Sequence, residues 1–110
     1  MRRGDVVLIA DRGGGDRAGK PRPAVVVQSD LFAETRSLVV CPLTTETQDA
    51  PLLRVPVTPG PALPLAAPCW VMVEKITAVR RARAQAVVGR IGREEMLALE
   101  RSLAVVLGFG

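Results

Sequence analysis

Apolar positions along this chain fall into short runs of the length and composition of buried strands. Val6–Ala10 is the first, rich in β-branched residues. Asp11–Pro21 breaks it with Gly13-Gly14-Gly15 and alternating charges, which is loop chemistry. Pro23–Gln28 is the second run; Pro23 has no N–H and belongs at the first residue of a strand or on a sheet edge. Ser29-Asp30 then offers a turn or a helical cap before Leu31–Glu34. Leu38–Cys41 predicts a third strand, Thr44–Ala50 a polar loop, and Leu52–Val57 a fourth strand with Arg54 facing outward. Thr58–Pro68 is dense in proline but apolar, so it predicts an irregular loop packed on the domain. Trp70–Val79 predicts a fifth strand or a bent pair of strands, and Ala84–Ile91 a sixth.

The pattern changes period after Gly92. Met96, Leu99, Leu103 and Val106 recur at helical spacing and give one apolar stripe. Glu94 and Glu95 occupy the first turn, where the helix dipole favours negative charge. Gly92 serves as N-cap with Ile91 and Met96 as a hydrophobic staple, and Gly108 is the left-handed stop. The elements sum to an α+β fold: a small, strongly bent antiparallel barrel closed by one C-terminal helix, one domain over 1–110.

Composition narrows the chemistry. With 48% hydrophobic and 3% aromatic residues, the core must be built from Val, Leu, Ala, Ile and Met. No apolar run approaches the ~20 residues that span a bilayer, and the opening run is too short for a signal peptide, so a cytoplasmic location is expected. The formal net charge is +4, which favours acidic partners such as nucleic acid or an acidic protein segment. Arg12, Arg17, Lys20 and Arg22 cluster in or beside the Gly-rich loop. Lys75, Arg80, Arg81, Arg83, Arg90 and Arg93 follow one another without an intervening acid. Either group could also be a solvated face. Cys41 and Cys69 lie in apolar runs, and with no histidine in the chain they read as small core residues rather than zinc ligands.

The candidate chemistry sits at strand mouths. Arg22 opens the second strand within Gly19-Lys-Pro-Arg-Pro-Ala-Val-Val-Val27. Thr44 and Thr45 close the third. If these strands share a sheet, a guanidinium and a hydroxyl converge on one phosphate. From the residues alone Arg22 could equally pair with Asp16, Glu74 or Asp5 as a structural cation, and Thr44 could be a turn residue. Trp70 could stack a base but reads more simply as core or a subunit seam. Arginine stays protonated in proteins and makes a poor base, and histidine, the usual proton shuttle, is absent.

Met1-Arg-Arg-Gly-Asp-Val-Val-Leu-Ile9, Gly19–Gln28, Pro42-Leu-Thr-Thr45, Val71-Met-Val-Glu-Lys-Ile76 and Leu103–Gly108 together resemble the MazF/PemK toxins of toxin–antitoxin pairs, in the family's order over nearly the whole chain. The resemblance implies an SH3-like barrel, shared with the gyrase poison CcdB. It implies metal-independent, sequence-specific cleavage of single-stranded RNA (mRNA, with tRNA or rRNA as other targets), no cofactor, a homodimer, and an antitoxin whose acidic tail fills the RNA groove. Arg22 and Thr44 fall at the family's catalytic arginine and threonine, and Asp16 near where some members place a carboxylate, one residue out of register and with a shorter side chain. Arg17, Lys20, Thr45, Glu46, Glu74 and Lys75 are the RNA contacts so implied. Thr77 and Cys69 stand where many relatives carry arginine and serine, so the relatives' preferred RNA sequence does not transfer. The competing readings are a CcdB-like gyrase poison and a non-cleaving RNA-binding barrel. The chain ends straight after its helix, and its aromatics are few for a stacking platform.

Overall fold

The computed structural model describes residues 1–10 and 20–110. Among these, seven strands form one antiparallel sheet: β1 (Asp5–Ile9), β2 (Arg22–Val26), β3 (Ser37–Thr44), β4 (Arg54–Val57), β5 (Cys69–Met72), β6 (Thr77–Arg80) and β7 (Ala84–Arg90). The order is β4-β5-β3-β2-β1-β7, with β6 also paired to β3. One helix, α1 (Arg93–Leu107), closes the chain. This is the α+β class read from the pattern, with the strands where the apolar runs lie.

β3 is the spine, and it shares one edge between two partners. Ser37–Val40 pair with β6, while Leu43 and Thr44 pair with Val71 and Trp70 of β5. Between β5 and β6 the ribbon turns through a 3-10 corner at Val73–Lys75. The expected bent pair of strands is therefore present. Glu74, read as a strand residue, sits in that corner instead, because the chain must bend there to follow β3.

Both faces of the bent sheet are apolar. Successive side chains point to opposite sides. Val25, Val27, Cys41 and Leu43 therefore join Val55, Val57, Val71, Val73, Leu99 and Leu103 in the larger core. Ala24, Val26, Leu38 and Val40 join Val7, Ile9 and Val79 in a second cluster on the opposite face. Cys41 and Cys69 are free thiols inside the larger core. Burial, with the Glu74 charge adding, pushes Cys41 up to about 12, and burial raises Cys69, so both stay unreactive thiols.

Helix α1 docks as its stripe requires. Leu99 and Leu103 are buried, with Met96 and Val106 packed beside them. The Glu95 carboxylate accepts from the Gly92 N–H at 2.8 Å and from the Thr58 N–H at 3.0 Å. One side chain thus caps the helix and ties it to the residue after β4. Gly108 ends the helix at φ 84°, in the left-handed region. The proline-rich loop is packed, as expected: Leu63 is buried, and Arg90 N–H donates to Ala62 O at 2.9 Å. It presses so closely on β7 that a Cβ at Gly89 would lie 2.7 Å from that carbonyl oxygen. No helix among the described residues is long and apolar enough to cross a membrane.

Candidate functional site

The site is built where β2 and β3 part. Their ladder runs Val26–Val40, Val25–Cys41, Ala24–Pro42 and stops there. The next bonded position would set Pro23 opposite Leu43, and Pro23 has no N–H to give; Leu43 and Thr44 of β3 pair with β5 on its other edge. Arg22, two residues before Ala24, and Thr44, two residues after Pro42, flank the end of that ladder. Alternation puts both on the face that carries Ala24 and Val40, at the same end of the sheet. The two strands thus carry a cation and a hydroxyl beyond the end of their ladder.

Arg22 is exposed, and its side chain has no hydrogen bond or salt bridge to any described residue. The carboxylates offered as its structural partners are engaged elsewhere. Asp5 takes Arg90 at 2.7 Å, and Glu74 takes Arg54. Asp16, the third, lies outside the described residues, as does Arg17. The half-buried Thr44 has its Oγ1 fixed as an acceptor of the Glu46 N–H at 3.1 Å. Its hydroxyl proton is left to donate outward. Lys20 stands exposed two residues before Arg22, and Thr45 and Glu46 follow Thr44 on the exposed loop.

Glu74 and Lys75 lie in the corner after β5, which packs against β3. The Arg54 guanidinium, half-buried on the edge strand β4, grips the Glu74 carboxylate, which corrects the expectation that Arg54 faces outward. Burial alone pushes Glu74 up. The Arg54 hydrogen bond, the residue's own N–H and the charges of Arg54 and Lys75 outweigh it and hold the carboxyl below its ordinary value. Glu74 is therefore an ionised acceptor at neutral pH, not a proton donor.

Beside Arg22 lies a cleft of about 160 Å³, lined by Ile9, Ala24, Val40, Pro42, Thr77 and Arg83 among others. Sequence reasoning missed Arg83 here; its guanidinium donates to Ala10 O at 2.6 and 3.0 Å and pins the end of β1 at the cleft. Trp70 is not the core residue that its apolar run suggested. It is the cross-strand partner of Thr44, so it shares that face, is half-buried, and belongs to neither core cluster. Its alternation with the buried Cys69 and Val71 was the available signal.

This arrangement suits an anion better than a neutral ligand. A planar fork of donors, a donating hydroxyl and a flanking indole face match a phosphate with a base attached.

Comparisons with known proteins show what the chain is similar to. The family described as "PemK-like, MazF-like toxin of type II toxin-antitoxin system" matches residues 2–107. A protein of Mycolicibacterium smegmatis (strain ATCC 700084 / mc(2)155), named "Probable endoribonuclease MazF", is 43% identical over 108 residues, 98% of this chain and 97% of its own. Among solved structures, a mycobacterial endoribonuclease in complex with its cognate antitoxin superposes with a TM-score of 0.77 at 24% identity, covering 100% of this chain and 97% of that one. A MazE–MazF structure from Deinococcus radiodurans superposes with a TM-score of 0.81 at 19% identity, covering 100% and 97%.

Proposed function

The chain belongs to the PemK-like, MazF-like toxins of type II toxin–antitoxin systems, and on that footing we propose that it is an endoribonuclease that cuts single-stranded RNA without a metal. The 2′-hydroxyl oxygen next to the scissile bond attacks phosphorus; the new 2′-O–P bond forms as the P–O5′ bond breaks. Arg22 lays paired N–H donors on two phosphate oxygens as their charge grows, and Thr44 donates its hydroxyl to the same group. Asp16 takes the 2′-hydroxyl proton, and the departing 5′-oxygen is protonated from solvent. The products are a 2′,3′-cyclic phosphate and a 5′-hydroxyl. The toxin acts in the cytoplasm as a homodimer, and an antitoxin with an acidic tail competes for the basic groove.

What supports this reading is that Arg22 and Thr44 lie on strands β2 and β3 just beyond the end of their shared ladder, on the face that alternation gives to Ala24 and Val40. The test is to incubate the purified chain with a long unstructured RNA in EDTA and to map the new 5′ ends. Cuts at a recurring short sequence, with 5′-hydroxyl ends, are expected. Binding without cuts means a non-cleaving RNA-binding barrel. Intact RNA together with trapped gyrase–DNA complexes means a gyrase poison.

Trp70 gives a second check. As a stacking surface beside Thr44 it contributes about 1–3 kcal/mol per base, so Trp70→Ala lowers kcat/KM on RNA roughly tenfold or more. Because Trp70 lies outside both cores, the variant's melting temperature changes little. A large melting shift with unaltered kcat/KM returns Trp70 to a structural role.

A further inference from the structure

The main chain of Arg22 is held from one side. The ladder of β2 with β3 stops at Ala24, so Ile9 of β1 is the strand partner that Arg22 keeps among the described residues. No described residue holds its side chain. The aim of the guanidinium therefore comes from its own backbone, and the end of β1 places that backbone.

On its far edge, β1 pairs with β7, and the register slips just before the end. Leu8 meets Ala86 and Ile9 meets Ala84, which leaves Gln85 without a partner. Such a bulge disrupts the ladder locally. Arg83, the last residue of the 3-10 turn before β7, secures the next position. Its carbonyl oxygen accepts the Ala10 N–H at 2.8 Å. Its Nε and Nη2 donate to the Ala10 carbonyl oxygen at 3.0 and 2.6 Å. One half-buried residue thus takes both polar groups of the Ala10 main chain. Hydrogen bonds from a charged donor are shorter and stronger than neutral ones. Arg83 has no ion pair to any described residue, so this carbonyl is the partner that its charge has.

The contacts Arg83–Ala10 and Ile9–Arg22 cross β1 from the start of β7 to the start of β2, and all four residues line the one cleft. Resting on the ribonuclease reading above, we propose that Arg83 is a positioning residue for that reaction: by clamping Ala10 it fixes the end of β1, and through the Ile9–Arg22 pair it fixes the guanidinium that meets the phosphate. Arg83 acts through Arg22 and does not itself bind RNA. Donors aimed at developing charge are effective because they are in place beforehand. A misplacement of ~1 Å costs about a hundredfold in rate.

The test is the cleavage kinetics of the full chain on a mapped RNA. Arg83→Met keeps much of the side chain's length and removes its donors. It is expected to lower kcat and kcat/KM together by about ten- to a hundredfold, with KM little changed, as for a transition-state donor knocked out of place. Arg83→Lys can still give one N–H to the Ala10 carbonyl and is expected to recover part of that rate. In an Arg22→Ala background, Arg83→Met is expected to cost less than about twofold more, because residues that act as one unit are not additive. Thermal melts check that each variant folds, and Arg83→Gln takes the place of the methionine variant if that one does not. An Arg83→Met variant that cuts within about twofold of the parent overturns the proposal while leaving the ribonuclease intact. So does an equal loss with and without Arg22. A raised KM with a salt slope lower by about 0.7 also overturns it, since that marks a phosphate contact made by Arg83 itself. No cleavage by the wild type instead removes the ribonuclease reading beneath it.

Discussion

Arg22→Ala is expected to lower RNA cleavage by about a hundred- to a thousandfold, the effect of removing one fixed donor of roughly 3–4 kcal/mol aimed at developing negative charge. The fold is expected to survive. Arg22 is exposed at the first residue of β2 and bonded to no described side chain, so its loss empties no core. Arg22→Lys separates charge from geometry. An ammonium keeps the positive charge but cannot lay two parallel donors on one phosphate. It is expected to recover only part of the rate. Single-turnover cleavage of a mapped RNA, beside a thermal melt of each variant, gives both numbers. An alanine variant that cuts within a few-fold of the parent removes Arg22 from the reaction.

Leu99→Ala is expected to destabilise the protein by about 3 kcal/mol, within the range for emptying a well-packed leucine site. Leu99 is fully buried at the centre of the α1 stripe, against the core formed by β3, β4 and β5. A loss of that size lowers the melting temperature of a domain this large by roughly 10–20 °C. The consequence reaches the site through β3. Its odd positions, Cys41 and Leu43, fill the core beneath α1, while Thr44 stands on the other face. Urea denaturation gives the value directly. A change below about 1 kcal/mol means that the helix is not anchored through this residue.

The elements that sequence reasoning found are those with a local signature. Helix α1 was legible from four residues at one period and two glycines at its ends. The strands were legible from β-branched runs between breakers. Ser29 does cap a short turn over Asp30–Phe32, its hydroxyl accepting the Leu31 N–H at 3.2 Å. Pairing across the fold was not legible. Arg54 and Glu74 are twenty residues apart, and their contact depends on how the corner at Val73–Lys75 brings β5 back toward β4. Alternation alone turned Arg54 outward. Trp70 was ambiguous because a large half-buried ring fits either a core or a rim; only the assembled fold shows it outside both core clusters. β3 proved longer than its apolar run because Leu43 and Thr44 stay in the strand by pairing with β5.

Pro23 has a quieter consequence. In the register of β2 with β3 it would stand opposite Leu43, on the side of β2 that bonds β3, and it has no N–H to give. The bond missing there is missing by residue type, so the end of that ladder is written into covalent structure and persists wherever the sheet is folded.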